Sequence, residues 1–542
     1  MRFALSVAAI FALAPIVSAQ DPKAPALPRR VLFVHVGGYL YLNPLTHSAP
    51  GGPDRVRAVA DRFATGLLTP TVRGNDQLFV LADTLTTDAR LPTKDVLAKA
   101  LEGFCTTTRP QDRVVIYFGV HAVEKDGKAF VVPIDGAPDA PETLLPVADV
   151  YAALKGLNAA QKVVIWDVCR HNPERVRGRR DPGPMTDALF KALTAPPEGV
   201  QALVSCSPGE RSLEYSAPRG PAGIFAGSAY LDALRHAAAD TSAKAAPGDA
   251  IPVEALHKSA CQSVATLSKQ TPAFTGIAPK QSAAHGPKAA PAKRFELAAI
   301  PKGTPSADVK TILDELALPP LFEDDAGSVA LLPFAEASLK SYEPDVSVDE
   351  ALKSGDKYPL RVATLRALQA VRDTWPLTAK EPRGVTPLVA PVVDRTKKAI
   401  SDAQLPLAQA ITKLEVELEG LLAVAANRAK ETKRWQAHYD YAVAEVRLRL
   451  VVLNEYNVLL ARVRTESLPD LPSGATGWRL CPAEKLTSRR EVRDMFNAAQ
   501  EGFTKLATDH RGTPWEVLAK RSRAFVPGLR WEVVVPLKVD EK

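Results

Sequence analysis

QKVVIWDVCRH, residues 161–171, reads as a strand that ends on chemistry. Val163, Val164, Ile165 and Trp166 make an unbroken apolar run, the pattern of a strand covered on both faces. A strand that only fills a core ends more often on Gly, Asn or Pro. This one runs instead into Asp167, Cys169 and Arg170, so a carboxyl, a thiol and a guanidinium follow one another where the strand leaves the sheet.

Working outward, short apolar runs recur at 31–36, 78–82, 113–119 and 201–205, and helical patterns lie between them at 54–67, 93–104, 147–157 and 186–193, the second with Thr93 placed as N-cap. Strands alternating with helices predict an open, doubly wound, mostly parallel α/β sheet whose active groups sit beyond the carboxyl ends of its strands. His121 follows the run 113–119 as Cys169 follows 162–168, and successive strands usually lie side by side. A thiol becomes a nucleophile when a base takes its proton, and His121 is placed to be that base. His171 is the next candidate. The competing readings are an inert core thiol beside a loop histidine, and a structural Cys169–Cys206 disulfide.

The 542 residues exceed what one hydrophobic core serves, so several units are expected. Residues 1–19 carry the charged, apolar and small-residue parts of a secretory signal, which predicts an exported, periplasmic or extracellular protein. No later stretch reaches about 18 uninterrupted apolar residues, so no integral membrane segment is expected. A net charge of +7 without a basic stripe carrying interleaved aromatics gives no indication of nucleic acid. Residues 28–276 read as the α/β unit, with a last helix at 253–267. An Ala/Lys/Pro-rich linker covers 277–306, and 307–393 is poorly patterned and proline-rich. From 394 to 542 the chain reads as mostly α-helical. Apolar steps of three and four over 407–464 give one apolar face per helix and predict a long antiparallel hairpin turning near Asn427. Thr513-Pro514-Trp515-Glu516 predicts a helix start with Thr513 as N-cap and Glu516 as its reciprocal partner.

RVVIYFGVHAVEKDGKAFVVPIDG at 113–136 and KVVIWDVCRH at 162–171 resemble the histidine and nucleophile segments of caspase-like cysteine peptidases of the metacaspase type. LVSCSPGERSLEYS and GIFAGSAYLDAL, which follow, resemble the next segments, and the strand at Val31 with GGPDRVRAVADRF at 51–63 resembles the first strand and helix. The resemblance implies a caspase-like fold and a cysteine endopeptidase acting on polypeptides. Cys169 would be the nucleophile and His121 the general base and acid, with the backbone N–H groups of Cys169 and Ala122 as oxyanion hole. Asp167 and Asp54 match the carboxylates of a pocket for Arg or Lys, since a guanidinium pairs strongly and directionally with carboxylate. Asp54 reads equally as an N-cap. The family's Ser-Gly-His-Gly is Gly119-Val120-His121-Ala122 here, and its residues after the cysteine are replaced by Arg170-His171-Asn172, so an inactive relative that binds partners through its C-terminal helices is the alternative. No cofactor is implied. Calcium activation, common in metacaspases, finds no acidic cluster to serve as its site, so no metal ligand is assigned. Arg170, Arg175, Arg177, Arg179 and Arg180, set among Pro and Gly, predict an exposed basic loop, with self-cleavage after Arg177, Arg179 or Arg180.

Overall fold

The computed structural model describes residues 29–45, 60, 78–83, 90–110, 112–172, 178–215, 227–242, 251–267, 270–277, 306–319, 327–378 and 388–535. The leader 1–19, the predicted helix 54–67 with Asp54, and nearly all of the linker 277–306 lie outside them.

The first strands are β1 (Arg29–His35), β2 (Leu78–Ala82) and β3 (Arg113–Gly119). A hairpin of β4 (His121–Lys125) and β5 (Lys128–Val132) follows, with β6 (Leu145–Pro146) against it. Next come β7 (Gln161–Asp167), β8 (Arg170–His171), β9 (Gln201–Val204), β10 (Ser212–Tyr215), β11 (Gly227–Ser228) and β12 (Ala273–Thr275). The main sheet has the order β12-β9-β7-β3-β1-β2 and is parallel except for β12 at its edge. The near-continuous apolar runs have their cause in this topology: Leu32, Ile116, Val164 and Trp166 face one core, while Phe33, Val115, Val163 and Ile165 face another. The helices Lys94–Thr106, Val147–Lys155 and Asp187–Leu193 cover the first face, and Ala229–Ser242 and Val253–Leu267 cover the second. Thr93 caps its helix as expected, its hydroxyl accepting from the Val96 N–H at 3.4 Å.

Residues 307–393 contribute the helices Ala307–Leu316 and Pro359–Thr378, which bury Ile312, Leu316, Leu368 and Val371 in one core with the C-terminal helices. The chain turns at Ala425–Lys430 between the helices Asp394–Ala423 and Lys433–Arg464. The second of these does not have the expected single apolar face. Tyr439, Ala442, Leu448 and Val452 are buried, and so are Arg434, Glu445 and Arg449, because the helix is the axis around which Pro359–Thr378, Asp394–Ala423 and Arg490–Asp509 pack. Its charged residues are neutralised locally: Arg449 Nε donates to Glu445 at 2.9 Å, and Arg434 Nε to Glu315 at 2.9 Å. A small sheet of β13 (Leu388–Val389), β14 (Gly477–Ala483) and β15 (Gly528–Val534) completes this unit. The predicted reciprocal cap at Thr513 is replaced. Its hydroxyl donates to the His510 carbonyl at 2.6 Å, and Glu516 accepts instead from the Gly512 N–H.

Candidate active site

β3 and β7 are neighbours in strict register, Gly119 opposite Asp167. Two residues beyond each, the chain delivers His121 and Cys169 from the same height of the sheet. The Val120 N–H donates to the Asp167 carbonyl at 3.3 Å and prolongs the strand pairing to the point of delivery. Cys169 itself has φ +55°, a left-handed conformation that costs a side-chain-bearing residue on the order of 1 kcal/mol. Its carbonyl is fixed by the Ser212 N–H at 3.0 Å. The departure from the strand direction turns the thiol out of the alternation that a continued strand would impose.

His121 is buried and held on three sides. Its N–H donates to the Tyr39 hydroxyl at 2.6 Å, its ring lies 4.5 Å from the Tyr39 ring centroid, and its Nε2 lies 2.8 Å from the Asn43 carbonyl oxygen. A carbonyl only accepts, so Nε2 carries the proton and a neutral ring keeps its lone pair on Nδ1. This is the tautomer a base needs. Among the described residues no hydrogen bond joins the ring to the Cys169 thiol. The neighbour of that thiol is Cys206, whose own pKa is pushed well up by its hydrogen bond with Cys169 and by burial. Both are free thiols, so the disulfide alternative is not formed. Ala122, the second oxyanion donor expected from the sequence, is buried next to His121 on β4, opposite Val131.

Asp167 is buried with both oxygens engaged. Oδ2 accepts from the Tyr117 hydroxyl at 2.7 Å and Oδ1 from the Ser212 hydroxyl at 2.9 Å. Burial and the adjacent Asp167 push the Tyr117 hydroxyl well above its ordinary pKa, so it remains a donor. The absent serine at 119 has a structural reason. A Cβ on Gly119 would lie 2.9 Å from Tyr117 Cε1 and 3.0 Å from its hydroxyl oxygen, so the tyrosine occupies the space where a serine would stand.

Arg170 is not in a solvated loop. It is 2% exposed, with Nη2 2.6 Å from Glu214 Oε1 and Nη1 3.3 Å from His35 Nε2, on β8 beside β10. Burial opposes its charge, but Glu214 and Asp167 more than offset that and raise its pKa. Arg179 is also buried, and its segment is pinned by an antiparallel bridge to Phe525. These two are corrections to the exposed basic loop, and they arise because partners distant in sequence hold each guanidinium inside the protein, the Glu214 carboxyl for Arg170 and the Tyr39 and Leu42 carbonyls for Arg179. Arg180 is exposed, and Arg177 lies outside the described residues. His171 turns from the thiol to Asp181, 3.2 Å from its Nδ1, an anion that Arg211 also binds.

Tyr117, Ser212, Glu214 and His35 surround the site, and the motifs of the sequence do not point to them. Tyr117 alone gave a signal, as the one hydroxyl in an apolar strand. A second cysteine–histidine pair, His257 and Cys261 one helical turn apart at 3.5 Å, is a poor dyad, because burial raises the thiol and lowers the imidazole. Among the described residues no three His, Cys, Asp or Glu side chains converge as a metal site, and no helix is long and apolar enough to cross a membrane.

Residues 75–282 match the family described as Caspase domain, a span that starts just before β2 and ends after β12. The chain therefore contains a caspase domain, followed by a helical C-terminal region. No curated protein matches the chain.

Proposed function

We propose, with a caspase domain in the N-terminal half as premise, that this protein is an exported cysteine endopeptidase working through Cys169 and His121. The observation that supports the reading is the register of β3 with β7, whose paired ends Gly119 and Asp167 each lie two residues before His121 and Cys169, with His121 held in the tautomer whose Nδ1 can accept a proton. Nδ1 takes the thiol proton, and the thiolate attacks the scissile carbonyl carbon. The resulting oxyanion is met by the N–H groups of Cys169 and Ala122. The imidazolium then protonates the leaving amine as the C–N bond breaks, leaving a thioester. Water, deprotonated by the same ring, cleaves the thioester and restores the thiol. No step uses a cofactor. Catalytic hydrogen bonds that are long in a free enzyme tighten when substrate binds, and the proposed mechanism requires this of Cys169 and His121.

Arg or Lys before the cleaved bond is the proposed preference, supported by two carboxyls, Asp167 and Glu214, set against the single guanidinium of Arg170. Asp54 is the proposed second pocket carboxylate. The test is hydrolysis of fluorogenic Arg, Lys and Asp peptides by the full chain, with and without calcium, and with Cys169→Ala as control. Faster cleavage of aspartyl peptides would sink the basic preference. A second reading, a caspase-like binding module acting through its C-terminal helices, is favoured by one observation, the 1% exposure of Cys169. Labelling with a basic peptide chloromethyl ketone separates the two, since a peptidase is modified at Cys169 and at no other cysteine.

A further inference from the structure

The three contacts described for His121 come from one segment, 39–43, and that segment is gripped by the residues after the nucleophile. The Arg179 N–H donates to Asn43 Oδ1 at 2.8 Å, and the Arg179 guanidinium donates through Nη1 to the carbonyls of Tyr39 at 3.2 Å and Leu42 at 3.5 Å. The Asn43 N–H donates to the Arg180 carbonyl at 3.2 Å, and Asn43 Nδ2 to Asp181 at 3.2 Å. Asn43 is thus held at its backbone N–H and at both ends of its side-chain amide. The carbonyl left over is the one facing His121 Nε2.

The other side of this clamp is the C-terminal unit. The Val526 N–H donates to the Gly178 carbonyl at 2.7 Å, and Phe525, buried in the helical core, bridges to Arg179. A connected route runs from Val526 through Gly178 and Arg179 to Asn43 and Tyr39, and from there to the imidazole.

We propose that Arg179 is a positioning residue for His121 and that Phe525 and Val526 hold it there, so that the dyad is set only when the C-terminal unit is docked. This rests on the reading of His121 as base. A carbonyl that fixes one ring nitrogen acts through distance and angle, and displacement of reacting groups by about 1 Å is enough to cost up to a hundredfold in rate. A buried guanidinium holding two carbonyls of one short segment is a device for fixing such a distance.

The experiment measures the rate of Cys169 alkylation by iodoacetamide against pH in the full chain, mapped by mass spectrometry. The proteins compared are wild type, His121→Ala, Arg179→Met, Arg179→Lys and Val526→Pro. In wild type the imidazole is expected to produce reactivity at a pH where a free thiol is inert, and His121→Ala to remove it. Arg179→Met and Val526→Pro are expected to follow His121→Ala, with reactivity near pH 6 down about ten- to a hundredfold. Arg179→Lys should restore part of it, because an ammonium still donates to one carbonyl. A wild-type profile in folded Arg179→Met overturns the proposal. Should Arg179→Met not fold, a wild-type profile in Val526→Pro overturns it instead. If His121→Ala itself keeps the wild-type profile, the base assignment fails, a result distinct from failure of Arg179 alone, and the positioning role falls with it.

Discussion

The Tyr117 hydroxyl donates to Asp167 over 2.7 Å while its ring fills the place beside Gly119, so one side chain both supports the Asp167 carboxyl and leaves no room for a side chain at 119. Tyr117→Phe should cost about 1–3 kcal/mol in urea unfolding, since a buried oxygen loses its donor. Asp167→Asn should lower the preference for Arg over neutral residues by roughly ten- to a hundredfold, the worth of a hydrogen bond to a charged group. An unchanged ratio of kcat/KM values would clear Asp167 of that role.

His121→Ala and Cys169→Ala should each abolish nearly all peptide hydrolysis, and the double variant should lose little more, because the two act as one unit. Steady-state rates on an arginyl peptide decide this. Most of the rate surviving in His121→Ala would assign the base elsewhere.

Self-cleavage, where it occurs, is expected after Arg177 and not after Arg179 or Arg180, the carbonyl of Arg180 being held by the Asn43 N–H at 3.2 Å. A peptidase needs its substrate extended and accessible, whereas Arg179 is buried with its N–H bound to Asn43 and its neighbour Gly178 bound to Val526. Intact-mass and peptide mapping of wild type and Cys169→Ala test it. A cut after Arg179 or Arg180, or equal nicking of both proteins, contradicts it.

Arg170→Met takes the guanidinium from Glu214 inside the protein and should destabilise it by about 3–5 kcal/mol, with Arg170→Met/Glu214→Met recovering most of the loss. Equilibrium urea denaturation gives both numbers. A single-variant cost under about 1 kcal/mol would mean that Glu214 keeps a sufficient partner, or water, without Arg170.

Burial raises the Asp135 carboxyl to about 6, against the opposing hydrogen bond from the Lys94 N–H at 3.2 Å. The native state therefore holds this proton at a pH where the unfolded chain has released it. Its stabilising effect is complete below about pH 4 and is lost as the pH rises through about 6, by at most about 3 kcal/mol. Asp135→Asn should remove that part of the slope. The check is the difference in unfolding free energy between the two proteins from pH 4 to 7, and a constant difference would refute it.

The sheet was legible in the sequence because each central strand is covered twice, which leaves an unbroken apolar run such as Val163-Val164-Ile165-Trp166. The common height of His121 and Cys169 followed from the order of their strands. What escaped has a physical reason. Glu214 and Arg179 act through partners far along the chain, Arg170 and the loop 39–43, so neither leaves a local pattern. The helices of 307–393 do carry an apolar period, at Val309, Ile312 and Leu316 in one and at Leu360, Leu368, Val371 and Trp375 in the other, but each stretch is short or set among prolines that read as loop. Helix Lys433–Arg464 hid its central place because its buried Arg449 and Glu445 read as solvent-facing charges.

Successive side chains of the segment after β1 divide between two interiors: Tyr39 and Leu42 belong to the core under the sheet, while Leu40 belongs to the helical core and Tyr41 packs against it. A linker at 277–306 would therefore join two units that share one segment of chain between their cores, and the boundary of cooperativity is expected elsewhere. A protein ended at Gly276 would present Leu40 and Tyr41 to water, inviting self-association, whereas the intact chain should melt in one calorimetric transition whose enthalpy matches its van't Hoff value.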